Sequence, residues 1–139
     1  MEVSASYAGG TRFDVTARGH QVICDQPVEN GGADQGLTPP ELLLASLATC
    51  AGYYAAEYLR TRGLTLAGLN VLVTAQKAPQ PARLASFKIE VNTPPLDERS
   101  EAGLFRSVKS CLIHNTLLSG PRIEVLVNHA GAQSVRPAA

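Results

Sequence analysis

Three cysteines, Cys24, Cys50 and Cys111, are the residues of this sequence best suited to redox or nucleophilic chemistry. Their odd number and the absence of a Cys-x-x-Cys pair do not suggest a disulfide framework. His114, three residues after Cys111, completes one Cys-x-x-His pair. A structural zinc site needs four ligands, so this pair alone predicts no metal site. The thiols are therefore either inert and buried, the usual state of a free cysteine, or reactive.

The composition is that of one globular domain. The chain has 139 residues, of which 45% are hydrophobic and 17% are charged. Lys and Arg together number 12, as do Asp and Glu, so the formal net charge is zero. Proteins that bind nucleic acid or an anionic membrane usually have a basic surplus, and the sequence predicts neither partner. The N-terminal residues lack a basic segment followed by an apolar one, so we expect no signal peptide and a cytoplasmic location.

Alternating apolar residues predict an antiparallel meander over the first 25 residues. Phe13, Val15 and Ala17 share one face of a strand, and a turn at Arg18-Gly19 leads into the next strand.

A long loop and a capped helix follow the meander. Residues 26–38 contain three glycines and one proline, and ordered loops of this length are often functional. Thr38 is a good N-cap, Pro39 suits the first helical position, and Glu41 completes a capping box. The pattern predicts a helix that ends near Arg62.

Residues 42–56 of this helix are apolar or small on nearly every side. The segment is too short to span a bilayer, and a helix of this composition is normally buried all round. We therefore expect a second subunit to cover it. Cys50 lies near the middle of the segment. Glu57 falls on the same side as Cys50 and is interpreted as a surface or interface ion-pair partner, with a role in the site as the alternative.

The rest of the chain predicts a hairpin, a second helix and a last strand. Their predicted residues are 69–76 with 87–91 for the hairpin, 97–111 for the helix and 122–128 for the strand. We expect residues 130–139 to form a frayed tail on a single domain that takes up residues 1–139. The element order is therefore βββ-α-ββ-α-β, an α+β fold with antiparallel sheets.

Two segments resemble the cysteine motifs of the OsmC/Ohr family, small bacterial proteins of the hydroperoxide-reductase type. The first, GGADQGLTPPELLLASLATC, runs from Gly31 to Cys50, and the second, CLIHNTL, runs from Cys111 to Leu117. The predicted element order also fits the fold of that family over residues 2–128. The resemblance implies an intertwined homodimer with a long buried central helix and two active sites at the subunit interface.

The resemblance also implies a role for two of the cysteines. Cys50 matches the peroxidatic cysteine and Cys111 the resolving cysteine near the end of the second helix, whereas Cys24 matches neither and is interpreted as structural. Such a pair reduces an organic hydroperoxide to an alcohol through a Cys50 sulfenic acid and a Cys50–Cys111 disulfide. A thiol reductant, which is a dihydrolipoyl group in relatives of the Ohr branch, then restores both thiols.

In the Ohr branch, an arginine and a glutamate accompany the reactive cysteine. Arg12, just after a Gly-Gly turn, is the candidate arginine here, and Arg18 is the alternative. Glu41 is the candidate glutamate, with helix capping as its other interpretation. Both candidates are shifted by one residue from the Ohr pattern, and Leu112 replaces the proline that often follows the second cysteine. These departures indicate the broader OsmC-like branch.

Bulky side chains on the helices are candidates for an apolar pocket that would favour organic hydroperoxides over hydrogen peroxide. His114 either polarises the site or forms a structural hydrogen bond. The candidate pocket residues are Leu43, Leu47, Tyr53, Tyr54 and Phe105.

The main functional interpretation is a Cys-based organic hydroperoxide reductase of the oxidative stress response. The second is an OsmC-like protein with active thiols that binds or senses a small molecule without fast peroxidase turnover. The third is a structural or partner-binding dimer with unreactive cysteines. Since the sequence has no Walker-type phosphate loop, haem motif or flavin fingerprint, we expect no cofactor.

Overall fold

The computed structural model of the protein describes residues 1–129 and the backbone of residues 132–136, and it confirms the α+β class. In chain order the elements are β1 (Ser4–Gly9), β2 (Arg12–Ala17), β3 (His20–Cys24), a 3-10 turn (Val28–Asn30), α1 (Pro39–Thr61), β4 (Asn70–Pro79), β5 (Ala82–Asn92), α2 (Glu98–Lys109), α3 (Leu112–Ser119), β6 (Val125–His129) and β7 (Ala132–Arg136).

Two elements are additional to the predicted order. The predicted second helix ends at Lys109, and a separate helix, α3, begins after Cys111. The backbone of residues 132–136 forms β7, which pairs antiparallel with β6, although the sequence predicted a frayed tail there. The rest of the predicted tail lies outside the described residues. Both additions depend on contacts that a local pattern does not carry, namely a sulfur cap for α3 and cross-strand hydrogen bonds for β7.

The strands form three antiparallel units. The order of the first sheet is β1-β2-β3, and β4-β5 and β6-β7 are two-stranded. The turn between β2 and β3 places Arg18 at φ 50° and Gly19 at φ 81°, left-handed values that match a tight hairpin turn. The main contacts of strands β1–β3, like those of β6 and β7, are within their own sheet, whereas β4 and β5 pack on α1.

One face of α1 forms the centre of the core. Leu47, Ala51, Ala55 and Leu59 recur every four residues and are almost completely buried. They pack against β4, β5 and α2. The opposite face remains open in the single chain, where Tyr53 is 63% exposed. The predicted burial of the helix on all sides is thus absent from one chain, because no element of residues 1–129 covers that face. No helix in the described part of the chain is long and apolar enough to cross a membrane.

Helices α1 and α2 approach closely at Gly103. A β-carbon added to Gly103 would overlap the ring and hydroxyl of Tyr58. Near the same interface, the Ser107 hydroxyl donates a hydrogen bond of 3.0 Å to the Tyr54 carbonyl. A side chain at position 103 would therefore push α2 away from α1.

The start of α1 is fixed by the predicted capping box. The Glu41 carboxylate accepts hydrogen bonds of 2.8 Å from both the backbone N–H and the hydroxyl of Thr38. These bonds lower the pKa of Glu41. The interpretation of Glu41 as a helix cap is confirmed by this geometry.

A buried carboxylate, Asp25, organises the loop that leads into α1. Its Oδ1 accepts hydrogen bonds from the Thr11 hydroxyl at 2.6 Å and from the Gln26 N–H at 2.8 Å. Its Oδ2 accepts from the N–H groups of Ala33 and Gln35 at 3.1 and 3.2 Å. The bond from Thr11, followed by those from the backbone, lowers the pKa of Asp25 to about 2 although burial opposes the shift. Asp25 thus joins the β1–β2 turn to the loop.

Two glycines allow the loop to fold back closely on its own start and on β3. A β-carbon on Gly32 would overlap the Gln26 carbonyl, and one on Gly36 would overlap the Ile23 carbonyl. Any other residue at these positions would displace the loop.

We predict that Asp25→Asn destabilises the protein at neutral pH, because the amide cannot accept all four hydrogen bonds. The folded-state pKa of Asp25 is about 2 and its ordinary value is 3.8, so its stabilising contribution is complete above pH 3.8 and is lost as the pH falls toward 2. Urea midpoints should therefore differ at pH 7 and converge below pH 3.8. Asp34→Asn, which removes the same charge from an exposed loop position, is the control. Parallel pH curves for wild type and Asp25→Asn would contradict the prediction.

Two Gly→Ala substitutions should have opposite signs. Gly103→Ala should lower the free energy of unfolding by about 1–3 kcal/mol, because its methyl group overpacks against Tyr58. Gly52→Ala in α1 should raise it by about 0.5–1 kcal/mol, because the new β-carbon would lie 3.6 Å from Val71 and helix propensity improves. Denaturant unfolding measures both, and equal signs would refute the packing argument.

Candidate active site

The fold brings two of the predicted site residues, Cys50 and Cys111, into contact. Cys50 lies in the middle of α1, and Cys111 lies two residues after the end of α2. Cys50 packs on the cluster that contains Cys111, the two thiols are close enough to interact, and both are free. Residues far apart in the sequence are thus held side by side by the packing of α1 against the α2–α3 junction.

Cys111 is completely buried. With Leu47 and Val73 it forms the centre of a second apolar cluster, on which Cys50 also packs. Burial, and then the hydrogen bond with Cys50, raises the pKa of the Cys111 thiol. Cys111 is therefore a neutral thiol at pH 7.

Cys111 also caps α3. Its Sγ accepts a hydrogen bond from the His114 N–H at 3.4 Å, and the Ile113 N–H points to the same sulfur. Both amides oppose the rise in the pKa of Cys111. The sequence placed Cys111 near the end of a helix, whereas the structure places it at the beginning of the next one. His114 contributes its main chain here, and its ring Nδ1 lies 3.3 Å from the Asn115 Oδ1.

An apolar groove of about 870 Å³ lies between α1, β5, α2 and α3, and neither Cys50 nor Cys111 lines it directly. Leu47 belongs both to the groove wall and to the cluster that holds Cys111. Of the predicted pocket residues, Tyr54 instead packs on the cysteine cluster. The ring of Tyr53 makes an edge-to-face contact with the ring of Tyr54, with the two ring centroids 5.5 Å apart. Three of the predicted residues line the groove, namely Leu43, Leu47 and Phe105.

Arg12 and Glu41 lie elsewhere in the chain. Arg12 forms an ion pair of 2.9 Å with Asp14 and donates a hydrogen bond of 2.7 Å to the Gln35 side chain. Glu41 caps α1 nine residues before Cys50, roughly 13 Å along the helix axis. The described contacts of both side chains are with these local partners rather than with Cys50.

The other candidate residues have contacts that account for a structural role. Cys24 ends β3, is 7% exposed, and forms a backbone bridge with Leu37. Glu57 pairs with Arg60 at 2.7 Å on the surface of α1, and this bond lowers the pKa of Glu57. Arg18 forms the β2–β3 turn. Within the described residues, no group of three or more His, Cys, Asp or Glu side chains could hold a metal ion.

Sequence reasoning missed two features of this region. The first is Asp25, whose position between a strand and a glycine-rich loop is a recognisable signal for a carboxylate that binds loop amides. The second is the capping of α3 by a cysteine, for which the usual cap residues Ser, Thr, Asp and Asn give no signal.

Known proteins share this fold. The sequence model of the OsmC-like protein family matches residues 31–126. A structure from Psychrobacter arcticus, whose name refers to osmotic stress and detoxification responses, is 24% identical, with a TM-score of 0.74 over 82% of this chain and 85% of that chain. An OsmC-like protein from Mycoplasma pneumoniae is 20% identical, with a TM-score of 0.69 over 86% and 87%.

An organic hydroperoxide resistance protein from Legionella pneumophila is 19% identical, with a TM-score of 0.59 over 84% of this chain and 89% of that chain. No curated protein sequence matches this chain. The matched segment spans more than half of the chain and contains both contacting cysteines, and the structural neighbours have the same fold. The chain therefore belongs to the OsmC-like protein family.

Proposed function

We propose that this protein is a thiol-dependent peroxidase that reduces organic hydroperoxides to alcohols. The observation that carries the proposal is the contact between the Cys50 and Cys111 thiols beside an apolar groove. The Legionella neighbour, and others from Vibrio cholerae and Elizabethkingia anophelis, are named as organic hydroperoxide resistance proteins, which supports the same activity and a role in oxidative stress.

The oxidative half of the cycle uses both sulfurs. The Cys50 thiolate attacks the terminal oxygen of the hydroperoxide, the O–O bond breaks, and an alcohol leaves. Cys50 is then a sulfenic acid, and the Cys111 thiol condenses with it to form a disulfide and water. The proximity of the two thiols favours this second step.

The groove gives the proposed substrate class. Most of its walls are leucine, isoleucine, valine and phenylalanine side chains from four elements, including Leu43, Phe87 and Phe105. The polar members of the walls are Ser86, Glu101, Lys109 and His114. Burying the alkyl or aryl part of an organic hydroperoxide there contributes about 25 cal/mol per Å² of apolar surface, which hydrogen peroxide cannot gain.

The proposed active unit is a homodimer. The single chain leaves apolar surface open on its first sheet, where Tyr7 is 68% exposed, and on α1 at Tyr53. Pairing of two chains would cover these surfaces and could bring Arg12 and Glu41 of one protomer to Cys50 of its partner. A cation beside Cys50 would stabilise its thiolate. We propose a dithiol, such as a dihydrolipoyl group, as reductant, in the cytoplasm where thiols are kept reduced.

A second candidate function is binding of a small molecule by an OsmC-like stress-response protein without fast peroxidase turnover. The observation that favours it is the engagement of Arg12 by Asp14 and Gln35. If these partners keep Arg12 in the assembled protein, the Cys50 thiolate lacks that source of stabilisation.

Cys50→Ser should reduce the consumption of cumene hydroperoxide with a dithiol to the background of the buffer, because the attacking sulfur is gone. Cys111→Ser should lose disulfide formation and leave a sulfenic acid on Cys50 that a dimedone probe captures. Cys24→Ala, which changes a cysteine outside the pair, should retain turnover. Wild-type protein that keeps all its thiols after one equivalent of hydroperoxide would refute the peroxidase and favour the binding function.

Arg12→Ala should slow peroxide reduction by about tenfold or more, because in the proposed dimer Arg12 of one protomer stabilises the attacking sulfur of its partner. Arg18→Ala is the matched control, and an effect confined to it would transfer the role to Arg18. Light scattering should give a mass of twice 14.7 kDa for both variants. A monomeric mass with full activity would contradict the homodimer.

A further inference from the structure

The α2–α3 junction makes the two sulfurs of the site unequal in access. Cys111 is 0% exposed, enclosed by Leu47, Val73 and the start of α3. Cys50 is only partly buried. Attack on a disulfide requires the incoming thiolate to approach one sulfur in line with the bond, so the accessible sulfur is the one that reacts.

The α2–α3 junction also makes the sulfurs of Cys50 and Cys111 unequal as leaving groups. Cys111 Sγ receives the N–H groups of His114 and Ile113 at the N-terminus of α3. Cys50, in the middle of α1, has backbone N–H groups on its own turn that already bond within the helix. Charge-assisted hydrogen bonds to a thiolate are stronger than those to a thiol, so the two amides favour Cys111 in its ionised form.

We infer that the reductant attacks the sulfur of Cys50 and that Cys111 departs as a thiolate held by the main-chain amides of Ile113 and His114. This inference rests on the proposed function and assigns the order of its reductive half. The main chain of α3 is thereby a positioning and stabilising element.

The reductive half consists of two successive thiol–disulfide exchanges. A thiolate of the reductant forms a bond to Cys50 Sγ, the Cys50–Cys111 bond breaks, and its electron pair goes to Cys111 Sγ. The second thiolate of the dithiol then attacks the reductant sulfur, which releases Cys50 as a thiolate and closes the reductant to its disulfide. Protons from solvent complete the Cys111 thiol.

Burial of Cys111 works against its departure as a thiolate, and the two amides reduce that penalty. The buried position of Cys111 raises the pKa of its thiol, which disfavours a leaving thiolate. The alternative order leaves Cys50 as the thiolate but requires the reductant to reach a sulfur with no exposed surface. When the reductant attacks Cys50, the main chain at the start of α3 lowers the cost of releasing Cys111. Attack on Cys111 would first require the α1–α2 packing to open.

A trapping experiment reads the order directly. Cys24→Ala removes the third thiol, which is needed because no Lys or Arg separates Cys24 from Cys50 and trypsin leaves both in one peptide. The Cys50–Cys111 disulfide is made with diamide, so the test does not depend on peroxidase activity. Glutathione is added briefly, acid stops the exchange, and N-ethylmaleimide labels the released thiol.

We expect glutathione on Cys50 and maleimide on Cys111, in roughly tenfold excess over the reverse pattern. The reverse pattern, or equal amounts of the two, would overturn the inference while leaving the proposed peroxidase untouched. Failure of diamide to join the two sulfurs would overturn it as well. Failure of the peroxidase appears separately, as retention of thiols with cumene hydroperoxide.

A proline pair tests the role of the amides. His114→Pro removes one N–H that bonds Cys111 and no bond within α3, since the first intrahelical bond runs from the Asn115 N–H to the Cys111 carbonyl. His114→Ala keeps the amide and supplies the reference rate. Leu112→Pro places proline at the first position of α3 and keeps both amides, so it controls for proline itself.

Reduction of the diamide-formed disulfide by dithiothreitol should be roughly tenfold slower in His114→Pro than in His114→Ala. Leu112→Pro should match wild type. Equal rates for His114→Pro and His114→Ala would overturn the role of the amide, provided that circular dichroism shows both folded. Should His114→Pro not fold, the glutathione pattern in the Cys24→Ala protein still decides the order of attack.

Discussion

The packing of the stripe Leu47, Ala51, Ala55 and Leu59 against β4, β5 and α2 determines where every other functional element lies. Two small residues in that stripe, together with Gly103 on α2, let the helices approach closely enough for side-chain and main-chain contacts between them. Because interiors are close-packed, α1 has one position on the hairpin. That position sets the depth of Cys50 and turns it toward the residue that follows α2. The contact between the two sulfurs is thus a consequence of helix packing.

The N-terminal half of the chain is organised by a different interaction. The Asp25 carboxylate accepts three hydrogen bonds from backbone N–H groups of the loop. A fourth hydrogen bond, from the Thr11 hydroxyl, connects the loop to the first sheet. The same loop carries Gln35, which holds Arg12. The position of Arg12 therefore depends on the buried charge of Asp25. The loop that this network orders leads into α1, whose first turn is capped by Glu41.

Local patterns in the sequence were sufficient for most of the elements. The capping box at Thr38, the strand alternation and the turn at Arg18-Gly19 each involve neighbouring residues, so the sequence predicts them well. The end of α2 and the start of α3 depend on a sulfur that accepts backbone N–H groups, a rare cap without a sequence signal. The pairing of Cys50 with Cys111 came from the motif resemblance, since no periodicity relates residues on separate helices. Whether Arg12 and Glu41 reach a sulfur depends on assembly, which local patterns do not contain.

The sulfur contact also joins distant parts of the chain. A bond between Cys50 and Cys111 would close a ring of about 60 residues that includes the β4–β5 hairpin and all of α2. Such a ring restricts the unfolded chain, and chain-entropy arguments predict that it stabilises the folded protein by about 4 kcal/mol. Each turnover would then alternate the protein between a looser and a more heat-resistant form. The disulfide form would therefore resist proteolysis better than the dithiol form.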